Sequence, residues 1–276
     1  MLSKLTELIR GMDRRGEGYS RALAAARVRA SYQRAYFAPA LFSLIPVKTD
    51  QIASMAVDTH WRLYYNDAWL AAHSVEENAA VLIHEVSHLL REHEARKQAS
   101  AANNVTLWNT ATDCEINDDL VAEGLPLPDD PPLPGTFGLN TGENAERYYS
   151  QLHVKGPDSS TRSSHADCGS GAHGERRPWE LPAEDGGAGG VPGVDPVKAE
   201  LVRRDVAQRI LDRSGDAGDA PLGWRRWANT VLTPKVDYMA TIRHAACAAI
   251  VGWQLPRSPF AVRAGAAVGV RLWRGV

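Results

Sequence analysis

The sequence predicts an α+β fold, and three observations carry that reading. A capped apolar run contains His84-Glu85-Val86-Ser87-His88. Two short β-rich runs lie just upstream of it, and further helical patterns follow it. Together they describe a small sheet or hairpin beside a helix with H-E-x-x-H spacing, plus C-terminal helices.

Taken in chain order, residues 19–37 read as a helix, followed by Phe37-Ala38-Pro39. Residues 53–58 and 61–65 read as two short strands joined at Asp58-Thr59-His60. An exposed edge there would bind extended peptide by main-chain hydrogen bonds; the alternative is an ordinary structural hairpin. Ser74-Val75-Glu76-Glu77 has the S-x-x-E form of a capping box, so a helix starts near Val75 and runs past Arg91. Its apolar arc holds Ala79, Leu82, Ile83, Val86, Leu89 and Leu90, with His84 and His88 roughly opposite. A further helix is predicted over 107–121, stopped by Gly124 with Pro126 beyond. A short helix follows at about 144–152.

Residues 155–194 are rich in Gly, Ser, Pro and Asp without apolar periodicity, and read as a linker or mobile loop. They contain His165-Ala-Asp-Cys-Gly-Ser-Gly-Ala-His173, read as solvated chain, with a regulatory thiol capping the metal as the alternative. Asp195-Pro196 opens the next helix as N-cap and first residue, to about Arg213. A last helix is expected over 236–253. The organisation is then a core over 1–154, the loop over 155–194, helices of the same domain over 195–254, and a weakly patterned tail over 255–276.

Composition narrows the function classes. A chain of 276 residues can bury one sizeable core, and 44% hydrophobic residues is ordinary for a globular protein. A net charge of −2 argues against nucleic acid or an acidic membrane as partner. Cys114, Cys168 and Cys247 are too few for a disulfide scaffold. The N-terminus lacks the apolar core of a signal peptide, and no apolar run reaches the ~18 residues of a membrane span. A cytoplasmic, soluble protein is expected.

The chemistry sits in the motif. Histidines at i and i+4 on a helix lie about 40° apart and can bind one Zn²⁺, leaving Glu85 as general base. The alternative is a pair of solvated surface histidines. His93 projects into the apolar arc, and reads as a packed or partly exposed histidine rather than a ligand. The longer pattern that supplies a third histidine fails, because Arg91 and Glu94 stand at its positions. The third ligand is sought in the 107–121 helix. Asp113 and Asn117 project into its apolar arc, whereas Glu115, Asp119 and Glu123 share an outward side. A carboxylate on a core-facing stripe needs a partner or a metal, which favours Asp113 over Glu115. Asn117, one turn on, is a candidate second partner for the ligands.

With those residues in view, the chain resembles a bacterial family of metallopeptidase-like proteins that pair an N-terminal zincin-like domain with a C-terminal von Willebrand factor A-like domain. The matching stretches are Met55–Asp58, Arg62–Asn66, His84–His93 and Trp108-Asn109 through Asp113 to Asn117. Arg177–Glu180 and Pro234–Asp237 match more weakly. The resemblance covers most of 1–250. It implies a zincin-like fold and a zinc hydrolase, but no particular substrate. The D-x-S-x-S motif of the second domain does not occur in this sequence.

The expected function is therefore a zinc-dependent peptidase. Zn²⁺ on His84, His88 and Asp113 would acidify a water, and Glu85 would take its proton for attack on a peptide carbonyl. Tyr64, Tyr65 and Tyr238 are weak candidates for stabilising the oxyanion. The alternative is a binding module with a structural or vestigial zinc, acting with an AAA+ ATPase partner that the resemblance implies.

Overall fold

The computed structural model describes residues 20–155, 167–182, 191–212 and 220–233. All of them belong to one unit spanning 1–233. The expected helix over 236–253, the tail over 255–276, Tyr238 and Cys247 lie outside the described residues.

Helix α1 (Arg21–Gln33) is capped by Ser20, and the chain then passes through a 3-10 turn (Ala35–Phe37) into α2 (Ala38–Ser43). Strands β1 (Ile45–Lys48), β2 (Met55–Val57) and β3 (Arg62–Tyr65) form one sheet in the order β1-β3-β2. The two predicted strands are the antiparallel β2–β3 pair, with Met55 opposite Tyr65. Strand β1 lies parallel to β3, Ile45 opposite Arg62. The sequence reading missed it, because a four-residue run containing Pro46 carries little β signal without its partner. Helix α3 (Asp67–Ala72), capped by Asn66, was also missed.

Helix α4 (Val75–Leu90) carries the histidine pair. The capping box forms: Ser74 Oγ accepts from Glu77 N, and Glu77 Oε2 accepts from Ser74 N at 2.8 Å. Helix α4 is buried far beyond one stripe, its apolar side against α1 and β2 and its histidine side against the later chain. Helices α5 (His93–Ser100) and α6 (Val105–Ala122) follow, the latter capped by Asn104 and ended at Gly124 with φ 73°. Helix α7 (Ala145–Lys155) packs on α6.

Two expectations fail here. Within 155–194, residues 168–173 are packed rather than solvated: α8 (Ser170–His173) touches α4, α5, α6 and β2, and Cys168, Ala172 and His173 are buried. The packing uses backbone groups and small side chains, so it leaves no apolar period. Residues 156–166 and 183–190 of that span lie outside the described residues. Glu115, expected on an outward face, sits between Arg91 and Arg96 with 12% of its side chain exposed.

Helix α9 (Pro196–Asp212) starts as predicted, Asp195 Oδ1 accepting from Val197 N at 2.8 Å. Helix α10 (Leu222–Leu232) packs on α9, and its Trp224 meets Phe37 edge-to-face at 4.7 Å between centroids. Among the described residues, no helix is long and apolar enough to cross a membrane.

Candidate metal centre

Helices α4 and α6 cross so that His84, His88 and Asp113 point at one spot, and the segment before α8 adds Cys168. All four residues are buried, and their donor atoms lie within 4.8 Å of one another. Around the group, His84 Nε2 is 3.1 Å from His88 Nε2. Asp113 Oδ1 is 3.5 Å from the first and 3.4 Å from the second. Cys168 Sγ is 3.6 Å from both His84 Nε2 and Asp113 Oδ1. Nitrogen, oxygen and sulfur ligands at 2.0–2.3 Å from a tetrahedral ion lie roughly 3.3–3.7 Å apart; the Asp113 and Cys168 separations of 3.4–3.6 Å fall in that range, and the His84–His88 separation of 3.1 Å is slightly shorter. The donor set and its geometry fit a metal ion.

Each donor is turned by a second contact. His84 Nδ1 lies 2.7 Å from Asn117 Oδ1, so the Nδ1–H donates there and the Nε2 lone pair faces the cluster. Asn117 is fixed in turn by donating to Pro132 O at 3.0 Å. Asn117 thus serves His84 rather than Asp113. Asp113 Oδ2 accepts from Asn109 Nδ2 at 3.1 Å, which leaves Oδ1 for the cluster. His88 Nδ1 is 3.0 Å from His93 Nδ1, and His93 Nε2 is 3.4 Å from Glu115 Oε2 in poor hydrogen-bond alignment. His93 is fully buried and outside the donor group.

Burial sets the electrostatics. Desolvation holds His88 at a pKa of about 4, so its imidazole stays neutral and able to donate a lone pair. Burial opposes charge on Asp113, but its contacts with the His84 and His88 ring nitrogens outweigh it and hold the carboxyl well below the usual range. Burial raises the Cys168 thiol well above its ordinary value, with Asp113 and Glu85 adding to the rise. A divalent cation held among these groups would offset the penalty.

Glu85 lines the same cavity of ≈ 100 Å³, only 3% exposed. Its Oε2 is buried with no hydrogen-bond partner among the described residues. Burial, then Asp113 and Asp167, push its carboxyl well above the ordinary range. The cavity's outer wall is Trp69, Val81 and the Leu127–Pro132 run, where Asp129 and Asp130 hold positive φ. That wall was missed because it has no period and no chemistry of its own.

Tyr64 is committed elsewhere: its hydroxyl lies 3.0 Å from Asp58 Oδ2 and accepts from Leu181 N at 2.8 Å. Tyr65 is a buried residue of β3 and does not line the cavity. Cys168 entered the sequence reading only as an alternative, and its signal was the His-x₂-Cys-x₄-His run in a stretch that otherwise reads as loop.

No curated protein and no solved structure matches the chain. A family model does, over residues 18–267. By that match the chain belongs to the family described as a putative metallopeptidase domain.

Proposed function

We propose that this protein is a zinc-dependent peptidase in which His84, His88 and Asp113 hold the ion and Glu85 is the general base. The observation that carries the reading is Glu85 itself. A buried carboxylate with an orphaned oxygen is costly, and here it stands beside a converging donor set. Two imidazoles and a carboxylate with a thiol close by favour zinc over the harder calcium or magnesium. Zn²⁺ bound there supplies a Lewis acid that acidifies water and polarises a carbonyl.

The chain's own residues do the rest. Asn117 and His93 orient the imidazoles, and Asn109 orients Asp113. Glu85 takes a proton from the attacking water at Oε2 and passes it to the leaving amine. Its low-dielectric setting raises its appetite for that proton, while a neighbouring cation pulls the other way. The Trp69–Leu127 wall offers an apolar surface for a substrate side chain.

A second reading is a metal-stabilised binding module, favoured by Cys168 as a fourth donor that closes the shell. Glu85 weighs against it, since a closed structural site has no use for a base. Metal analysis of the purified protein, joined to cleavage of a broad peptide library, tests the proposal. Bound zinc with cleavage is expected; bound zinc without cleavage, in a form whose coordination is open, contradicts it.

A further inference from the structure

Strand β2 is an edge of the three-stranded sheet, beside the metal centre. An edge of this kind can accept an extended peptide by main-chain hydrogen bonds. In this fold the edge is taken. Val57 N donates to Cys168 O at 2.9 Å, and Thr59 N to Ser170 Oγ at 3.3 Å. The approach is close: a Cβ on Gly169, whose φ is +84°, would stand 2.5 Å from Val57 O, and one on Gly171 3.0 Å from it. The same residue that pairs with the edge sends its side chain into the donor cluster, with Sγ 3.6 Å from His84 and Asp113.

Building on the peptidase reading, we propose that residues 167–173 are an internal plug that holds the site latent. Cys168 is a displaceable fourth ligand, and its backbone occupies the strand edge that a peptide substrate would use. Ligation removes the proton from Sγ, and release returns one from solvent.

Three features argue for displacement rather than a permanent structural shell. Glu85 faces Cys168, and its Oε2 has no partner among the described residues, so the carboxylate beside the thiol is left uncommitted. The plug contributes few apolar side-chain atoms, with one methyl from Ala172 and none from Gly169 or Gly171. Its hold is instead polar: besides the β2 contacts, Trp108 Nε1 donates to Ala172 O at 3.1 Å and Ser170 N to Glu180 Oε1 at 2.7 Å. Such contacts exchange for water at small net cost.

The test uses the full chain loaded with Co²⁺, with two variants. Cys168→Ala removes the thiol. Gly169→Ala keeps it and unseats the plug. Wild type is expected to show a near-ultraviolet thiolate-to-cobalt band that Cys168→Ala lacks at equal cobalt content. A simple hydroxamate is the probe of an open position. A ligand that binds only the open form is weakened by that form's low population, so both variants should bind it about tenfold or more tighter than wild type. No thiolate band in wild type, or a band that persists in Cys168→Ala, overturns the ligand assignment. Hydroxamate bound equally by all three overturns latency. The peptidase reading fails separately, if both variants bind the hydroxamate and cut no peptide in a library.

Discussion

His88 Nδ1 and His93 Nδ1 face each other at 3.0 Å, both fully buried. One of the two nitrogens must carry the proton and the other accept it. If His88 is to offer Nε2 to a metal, its proton sits on Nδ1, so His93 accepts there and carries its own proton on Nε2, toward Glu115. Glu115, His93 and His88 thus form a line that fixes a tautomer. His93→Phe removes the acceptor and should weaken metal binding about 10–100-fold. His93→Gln, which keeps an acceptor, should fall less. Competition with a chelator measures both, and unchanged affinity in His93→Phe would remove His93 from the account.

Glu115 has a second task, in holding Arg91 and Arg96. Arg91 also stacks over Trp224, with its guanidinium carbon 4.0 Å from the ring centroid. Glu115→Ala leaves buried Arg91 with Asp119 alone and half-buried Arg96 with Glu146 alone, and should destabilise the fold by about 3 kcal/mol. Burial opposes ionisation of Glu115, but Arg91, His93 and Arg96 outweigh it and hold its pKa well below the ordinary value. A depressed folded-state pKa contributes stability above the unfolded value, about 4.3, and loses it as pH falls below that. The gap in Tm between wild type and Glu115→Ala should therefore be full at neutral pH and narrow in acid. A gap that widens in acid would contradict this.

Asp113 and Glu115 separate by metal content. Asp113 Oδ1 is within 3.5 Å of both imidazole nitrogens, whereas Glu115 reaches the cluster only through His93. Asp113→Ala should lose most bound zinc in a folded protein. Glu115→Gln should keep its zinc and lose stability. The reverse result would place the ligand at Glu115.

Much of the fold was legible because its signals are local. The capping box at Ser74 and Glu77 placed α4, and Asp195-Pro196 placed α9. The hairpin followed from two short β-rich runs. What was missed depends on distant partners. Strand β1 needs β3 at its side, and α10 needs α9 and Phe37. Helical projection put Glu115 outward because a single helix does not reveal Arg91 and Arg96 on its neighbours. The same projection put Asp113 on the other side from Glu115, and among the described residues Asp113 groups with His84, His88 and Cys168. Residues 167–173 read as linker for a related reason: a segment held by backbone hydrogen bonds and glycines has the composition of a loop.

The most direct measurement compares Glu85 with Glu85→Gln on a peptide library, in the zinc-loaded chain and in its Cys168→Ala form. The account predicts unchanged zinc content and a loss of cleavage of about 10²–10⁴-fold in the glutamine variant. Equal cleavage with and without the carboxylate would contradict it, and so would loss of zinc together with activity, which would make Glu85 a ligand rather than the base.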